Sequence, residues 1–324
     1  MVTEMKSVFI ISLPRSGSTL LQRILAISPE ISSVSEPWLL LPFAGLSEYG
    51  NLMTYSEYSF RVAHSAYTEF VNSLPNGDND YYLSLSRFID DIYGKASKDN
   101  SQYFLDKTPR YYLIVDFIKK VFPDSKIIFL VRNPLDVFSS MMEAWWKNRL
   151  WINHQQIDLF RGPQCIHEAI HKYKDSSICV SYEDLVTGSE DTIRDICSFL
   201  DIEFNMDMLS GVGEKDFGGT MGDKLGIRKY KEVSRESLGR WTAVFTNPIR
   251  KNYIKKYLDF LGPEVLSTFG VDAARLKGEI KLIKSSYKYM LDDSIGIVLS
   301  ALSRKLCLKL VKSQISNSNC PLID

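Results

Sequence analysis

The stretch Ser12–Leu25, SLPRSGSTLLQRIL, constrains this chain most, because an apolar strand-like run ends in it and an amphipathic helix starts from it. The run Val8 to Leu13 is β-branched and aromatic, and Pro14 and Gly17 break regular structure at its end. Leu20, Leu21, Ile24 and Leu25 then fall on one helical face, and the pattern stops before Ser28-Pro29. At such a strand-to-helix junction the first backbone N–H groups of the helix lack internal partners, and the aligned peptide dipoles leave partial positive charge. An oxyanion fits there, and the segment reads as a phosphate loop. Arg15 adds a permanent cation, Ser16, Ser18 and Thr19 add hydroxyls, and Gly17 admits close backbone approach. A serine-rich turn that binds nothing is the plainer reading of the same residues.

Aligned on the common pattern G-x-x-x-x-G-K-[ST], the chain has Ser12 in place of the first Gly and Ser18 in place of the Lys. That weakens an ATPase reading, while Arg15 still offers a planar fork for anionic oxygens. A second segment, Lys126 to Trp146, repeats the grammar. Ile127 to Val131 is a continuous apolar run suited to a buried parallel strand, and Asn133-Pro134 supplies an N-cap followed by proline. Arg132 therefore marks the strand end, Asp136 the first helical turn and Ser140 a position two turns in, with Val137, Met141 and Ala144 free to pack inward. Ligands of open parallel sheets lie outside the carboxyl ends of the strands, so Arg15 and Arg132 should face one crevice. A ligand with two anionic groups is implied.

On these residues the chain resembles the sulfotransferases that use 3′-phosphoadenosine 5′-phosphosulfate (PAPS) as donor. Pro14-Arg15-Ser16-Gly17-Ser18-Thr19 matches the loop that holds the 5′-phosphosulfate in that family, and Arg132 with Ser140, eight residues on, matches the pair that holds the 3′-phosphate. Weaker similarities are Lys107-Thr108-Pro109 after a short strand, Ser181 to Leu185 at the end of a strand Ile178 to Tyr182, and Gly239-Arg240-Trp241. The likeness covers roughly Val8 to Gly270. It implies a P-loop-like α/β fold in three layers, with a central, mainly parallel sheet flanked by helices. It also implies PAPS as co-substrate, adenosine 3′,5′-bisphosphate as product and no required metal. Lys229 or Arg240 would add a cation near the 3′-phosphate or adenine, Trp241 would pack nearby, and Tyr182 would reach the nucleotide from the strand end.

Sulfuryl transfer to a hydroxyl or amine is an in-line displacement that needs a stabilised leaving phosphate, a base for the acceptor and a site that excludes water. The loop around Arg15 serves the leaving group. Glu36, in SSVSEPWLL beside a β-like stretch Ser32 to Ser35, is the candidate base. The tyrosylprotein and carbohydrate-type branches of the resembling family place a Glu in this region. The cytosolic branch uses a His after its Lys-containing strand, and Lys107 to Tyr112 contains none. His64, His154, His167 and His171 read as surface or packing residues. Lys107 is the second catalytic candidate, since an ammonium near the bridging oxygen stabilises developing charge. Plainer readings are a solvated carboxylate for Glu36, a surface ion pair for Lys107 and ordinary core for Trp241.

Zero formal net charge in 324 residues, 45% of them hydrophobic, permits a large core and gives no bias toward nucleic acid. Cys165, Cys179, Cys197, Cys307 and Cys320 are scattered without C-x-x-C spacing, which argues against a disulfide framework or zinc site and for a reducing, cytoplasmic setting. The N-terminal apolar run is needed as the first strand rather than as a signal peptide, and no segment has membrane-spanning length. We expect a catalytic domain over 1–275, with a helical insertion 42–100 lining the acceptor side together with Trp145 to Gly162. The glycines from Gly211 to Gly226 suggest a lid. A helical extension over 276–324 ends in a disordered tail, Ser313 to Asp324. Its segment Ile295 to Val311, with Arg304, Lys305 and Lys309, suits a docked helix or a peripheral membrane contact. The acceptor stays open among carbohydrate, tyrosyl, lipid and small-molecule hydroxyls. Alternatives in other classes are a P-loop kinase of nucleotides or small molecules, and a non-catalytic nucleotide-binding or scaffold protein.

Overall fold

Strand β1 (Lys6–Ser12) is buried along its length except at its first residue. Such a strand is stable only at the centre of a sheet covered on both faces. The computed structural model, which describes residues 5–47, 57–98, 101–152, 156–213, 217, 234–300 and 302, places it there. The other strands are β2 (Ile31–Ser33), β3 (Tyr103–Asp106), β4 (Lys126–Val131) and β5 (Ser177–Ser181). Their order is β2-β3-β1-β4-β5, and every pair is parallel. All five carboxyl ends therefore meet at one edge, with β1 at the point where the chain's direction of travel across the sheet reverses.

Side chains alternate between two cores. On one face Phe9, Ile11, Phe104, Ile127 and Phe129 pack with α5 (Val115–Val121), α6 (Pro134–Trp145) and α7 (Gly162–Lys172). On the other, Val8, Ile10, Leu105, Ile128 and Leu130 pack with α1 (Ser18–Leu25), α8 (Tyr182–Thr187) and α9 (Ser189–Leu200). Between β2 and β3 run α2 (Leu40–Ser47), α3 (Glu57–Asn72) and α4 (Asp78–Ala96). A short helix α10 (Asp207–Ser210) precedes α11 (Trp241–Val244), α12 (Pro248–Thr268) and α13 (Ala273–Leu282), and residues 290–300 are also helical.

The expected mainly parallel sheet flanked by helices is what the structure has. Several boundaries differ. β1 starts two residues before Val8, because Lys6 and Ser7 pair with Tyr103 and Phe104, and it ends before Leu13, whose carbonyl accepts the Ser16 N–H in the following turn. Tyr182 does not end β5 but opens α8, since the Ser181 hydroxyl caps that helix by accepting the Asp184 N–H. Only Ile31–Ser33 of the stretch up to Ser35 pairs as strand. In SLGRWTAVF only Trp241–Val244 is helical, after turns that include Gly239 at φ +67°. Of the glycine-rich loop, Gly211–Gly213 forms a short 3-10 turn, while Gly218, Gly219, Gly222, Gly226 and Lys229 lie outside the described residues, as do His154, Cys307, Cys320, Arg304, Lys305, Lys309 and the tail Ser313 to Asp324. Among the described residues no helix is long and apolar enough to cross a membrane.

The segment after α13 is fastened to the body by charge. Arg250 and Asp293, 3% and 0% exposed, pair at 2.7 Å. Asp293 also accepts the Asn247 side-chain amide and the Leu150 N–H, and Arg250 donates to the Asn148 and Val244 carbonyls. Gly296 lies so close that a Cβ there would sit 2.8 Å from the Leu150 carbonyl oxygen. Removing one member of a buried pair strands the other without solvent or partner. Asp293→Ala is therefore expected to lower unfolding free energy by about 3–5 kcal/mol, and Arg250→Met with Asp293→Leu by clearly less, both read from urea denaturation.

Candidate active site

Each strand delivers one singled-out residue to the carboxyl edge, so the candidate site is built by the sheet rather than by one loop. β1 leads to Arg15, β2 to Glu36, β3 to Lys107, β4 to Arg132 and β5 to Tyr182.

The donor half begins at the β1–α1 turn. Arg15 takes φ +70° and Gly17 φ +93°, which turns the chain so that the Gly17 carbonyl caps α1 by accepting the Leu20 N–H at 2.9 Å. Ser18 and Thr19 form the first turn, where backbone N–H groups point out of the helix end. The Gly17 position has a second demand, because a Cβ there would lie 2.3 Å from a Tyr182 ring carbon. Ser16 is wholly buried, and its hydroxyl has no hydrogen-bond partner.

Arg132 joins this turn to the rest of the site. It is 4% exposed, donates to the Arg15 carbonyl at 2.9 Å and the Ser237 carbonyl at 2.8 Å, and lies 4.3 Å from the centre of the Tyr182 ring. Its Nε is enclosed and has no partner. Arg15 in turn donates from Nε to the Ser140 hydroxyl at 3.2 Å, so the two arginines and Ser140 form one connected group. Asn133 caps α6 by accepting the Leu135 N–H, and Pro134 follows it, as the sequence requires.

Asp136 has a larger part than its place in a helix first turn suggested. It is buried, and its carboxylate accepts the Gly239 and Trp241 N–H groups at 3.0 and 3.2 Å. Burial raises the pKa of Asp136, against the lowering effect of Arg132 and those N–H groups. Burial likewise raises Glu183, whose carboxylate accepts the Asn133 N–H at 3.0 Å. The Tyr182 hydroxyl meets the Ser237 hydroxyl at 2.6 Å. Arg132, Asp136 and Tyr182 thus pin residues 237–241 to the sheet edge. Arg240 itself lies at the rim, half-exposed and paired with Glu143 at 3.2 Å. The Trp241 indole is buried in the core beneath α6 and reaches the site only through its backbone N–H.

The other half is a buried ion pair. Lys107 donates to Glu36 at 2.6 Å, with side chains 4% and 9% exposed, so neither the surface pair nor the solvated carboxylate describes these residues. Trp38 Nε1 approaches the second Glu36 oxygen at 3.4 Å. The segment is tied back to α1 through Gln22, whose amide donates to the Ser33 hydroxyl and the Val34 carbonyl at 2.7 and 2.8 Å. Nothing in the sequence marks Gln22, which falls off the face formed by Leu20, Leu21, Ile24 and Leu25. Nothing marks Ser237 either, since it meets Arg132 across 105 residues of chain. His167 bonds Thr268 away from this edge, and His64 lies on α3.

A model described as "Sulfotransferase family" matches residues 7–206. The nodulation protein NoeE of Sinorhizobium fredii (strain NBRC 101917 / NGR234) is 30% identical over 139 residues, 42% of this chain and 31% of NoeE. The protein-tyrosine sulfotransferase of Drosophila melanogaster is 24% identical over 214 residues, 62% of this chain and 39% of the fly protein. The chain thus spans well under half the length of each of these two relatives. Among solved structures, the sulfotransferase domain of the Synechococcus PCC 7002 olefin synthase has 21% identity and a TM-score of 0.50, covering 83% of this chain and 96% of that domain. At that identity the likeness speaks for the fold alone.

Gly17→Ala should test the packing of the two halves of the donor group. The added methyl meets the buried Tyr182 ring and forces a positive φ on alanine, so stability should fall by roughly 2 kcal/mol or more, measured by thermal unfolding.

Proposed function

This chain belongs to the sulfotransferase family, and from that premise we propose that it moves a sulfuryl group from PAPS to a hydroxyl-bearing acceptor. Arg132 carries the reading. A buried guanidinium with an enclosed, unpartnered Nε is costly unless an acceptor completes it, and an anionic oxygen is the acceptor that suits a charged donor. The buried Ser16 hydroxyl without a partner, at the helix end beside Arg15, is a second such donor. These two points fit a ligand bearing two separate anionic groups.

On this reading Arg15, Ser16, Gly17, Ser18 and Thr19 hold the 5′-phosphosulfate, Arg132 and Ser140 the 3′-phosphate, and Tyr182 packs at the nucleotide. Arg240 adds a cation from the rim, and Trp241 anchors that segment from below. The donor supplies a sulfuryl group on a phosphate leaving group. Glu36 accepts the acceptor's hydroxyl proton, so that the oxygen attacks sulfur as the S–O bond to phosphate breaks and its electron pair stays on the phosphate. Lys107 faces the charge that gathers on that leaving oxygen, and the loop N–H groups share it. The products are a sulfate ester, adenosine 3′,5′-bisphosphate and a proton. The Drosophila relative acts on protein tyrosine by its name, which keeps a tyrosyl hydroxyl among the acceptors beside carbohydrate, lipid and small-molecule hydroxyls.

Titration calorimetry with adenosine 3′,5′-bisphosphate should show binding to the wild type, weakened about 10–100-fold in Arg132→Ala, since a hydrogen bond to a charged group is lost. An acceptor screen with labelled PAPS then tests transfer. Glu36→Gln should keep bisphosphate binding and lose turnover by about 10²–10⁴-fold. Retained turnover in that variant would remove Glu36 from the base role. Magnesium-dependent ATP turnover without bisphosphate binding would instead favour the kinase class.

A further inference from the structure

Behind the Glu36–Lys107 pair lies a carboxylate that the transfer chemistry does not use. Asp106, 1% exposed, ends β3. It accepts three hydroxyls: Tyr93 at 2.7 Å from α4, Tyr111 at 3.0 Å from the turn after β3, and Thr108 at 2.7 Å. Two of these three hydroxyls also receive backbone N–H groups from the segment that carries Glu36. Thr108 Oγ1 accepts the Trp38 N–H at 3.3 Å, and the Tyr111 hydroxyl accepts the Leu40 N–H at 3.2 Å. Between those two contacts the chain is held in an uncommon conformation, with Trp38 at φ +54°.

Direction matters in this network. A hydroxyl has one hydrogen, so Thr108 and Tyr111 present lone pairs to Trp38 and Leu40 because their hydrogens are committed to Asp106. An ionised carboxylate only accepts and therefore commits both at once. We propose that Asp106 is the positioning residue for Glu36, fixing the 36–40 segment through the Thr108 and Tyr111 hydroxyls only while it is ionised. The proposal rests on the reading of Glu36 as the base, but the geometry it concerns can be observed without catalysis.

The groups facing Asp106 are Tyr93, Tyr111, Thr108 and, along the strand, Lys107. Burial raises its carboxyl pKa to about 6, against the lowering effect of the three hydroxyls and Lys107. Protonation converts one oxygen into a donor and forces a facing hydroxyl to turn its hydrogen elsewhere, so the segment should loosen as pH falls through that value. Asp106→Asn imposes the same reversal permanently with little change in shape.

Amide hydrogen exchange at Trp38 and Leu40, taken as a ratio to Ile10 and Phe129 in the buried sheet, reads this directly. At about pH 7.5 the ratio should rise about tenfold in Asp106→Asn, while bisphosphate affinity stays within about twofold of wild type. In the wild type the ratio should rise between about pH 7.5 and 5 and stay flat in the variant. An unchanged ratio in Asp106→Asn, or a flat wild-type profile, overturns the proposal. If Asp106→Asn does not fold, Thr108→Val and Tyr111→Phe decide instead. The first should free mainly Trp38 and the second mainly Leu40, whereas equal loosening of both amides in either variant overturns the directional account. Failure of wild type to bind adenosine 3′,5′-bisphosphate counts against the proposed function alone, and the exchange ratio still decides the role of Asp106.

Discussion

The guanidinium of Arg132 ties together three pieces of chain that share no local sequence. It binds the carbonyl of the β1–α1 turn, the carbonyl of Ser237 and the face of Tyr182. The two carbonyls take its forked donors, and the ring takes its flat cationic surface over an aromatic quadrupole. Lysine could supply the charge but not the fork. The Gly17 requirement follows from the same arrangement, since Tyr182 can lie beneath Arg132 only if nothing projects from the turn at that point.

Two other buried ion pairs follow one pattern. Glu36 with Lys107, and Arg250 with Asp293, are enclosed pairs; Trp38 Nε1 approaches the second Glu36 oxygen, and backbone and side-chain groups meet the remaining oxygens and protons of Asp293 and Arg250. Desolvation makes such pairs weak sources of net stability, yet it makes each partner strict about where the other sits. They therefore act as geometric fasteners. One fixes the 36–40 segment against β3, and the other fixes the segment after α13 against the loop that follows α6. Arg132 differs at its Nε, which is enclosed and without a partner, and the proposed anion site rests on that difference.

Much of the architecture was legible because the relevant signals are local. Apolar runs of strand length followed by turn residues located β1 and β4, and Asn133-Pro134 located the start of α6. The alternation of Phe9 and Ile11 against Val8 and Ile10 follows from the period of a strand. By hydrophobic pattern Tyr182 reads as the end of β5, whereas it opens α8, because a capping serine at a strand end is not distinguishable from a strand residue by that pattern. The parts played by Asp136 and Asp106 are not legible in the sequence, for their hydrogen-bond donors come from Gly239, Trp241, Tyr93 and Tyr111, which only folding brings near.

The sequence by itself determined the elements, the family and the identity of the charged residues at the strand ends, because strand period, helix capping and the anion-binding turn are short-range properties. Which of those charges stand together was decided by the tertiary structure. Parallel pairing brings five strand ends to one edge, so residues as distant as Glu36 and Lys107, or Arg132 and Ser237, become neighbours in a medium where a misplaced charge is expensive. Burial then chose Glu36–Lys107 over a solvated carboxylate and set Asp106 behind it, outcomes that no spacing along the chain encodes.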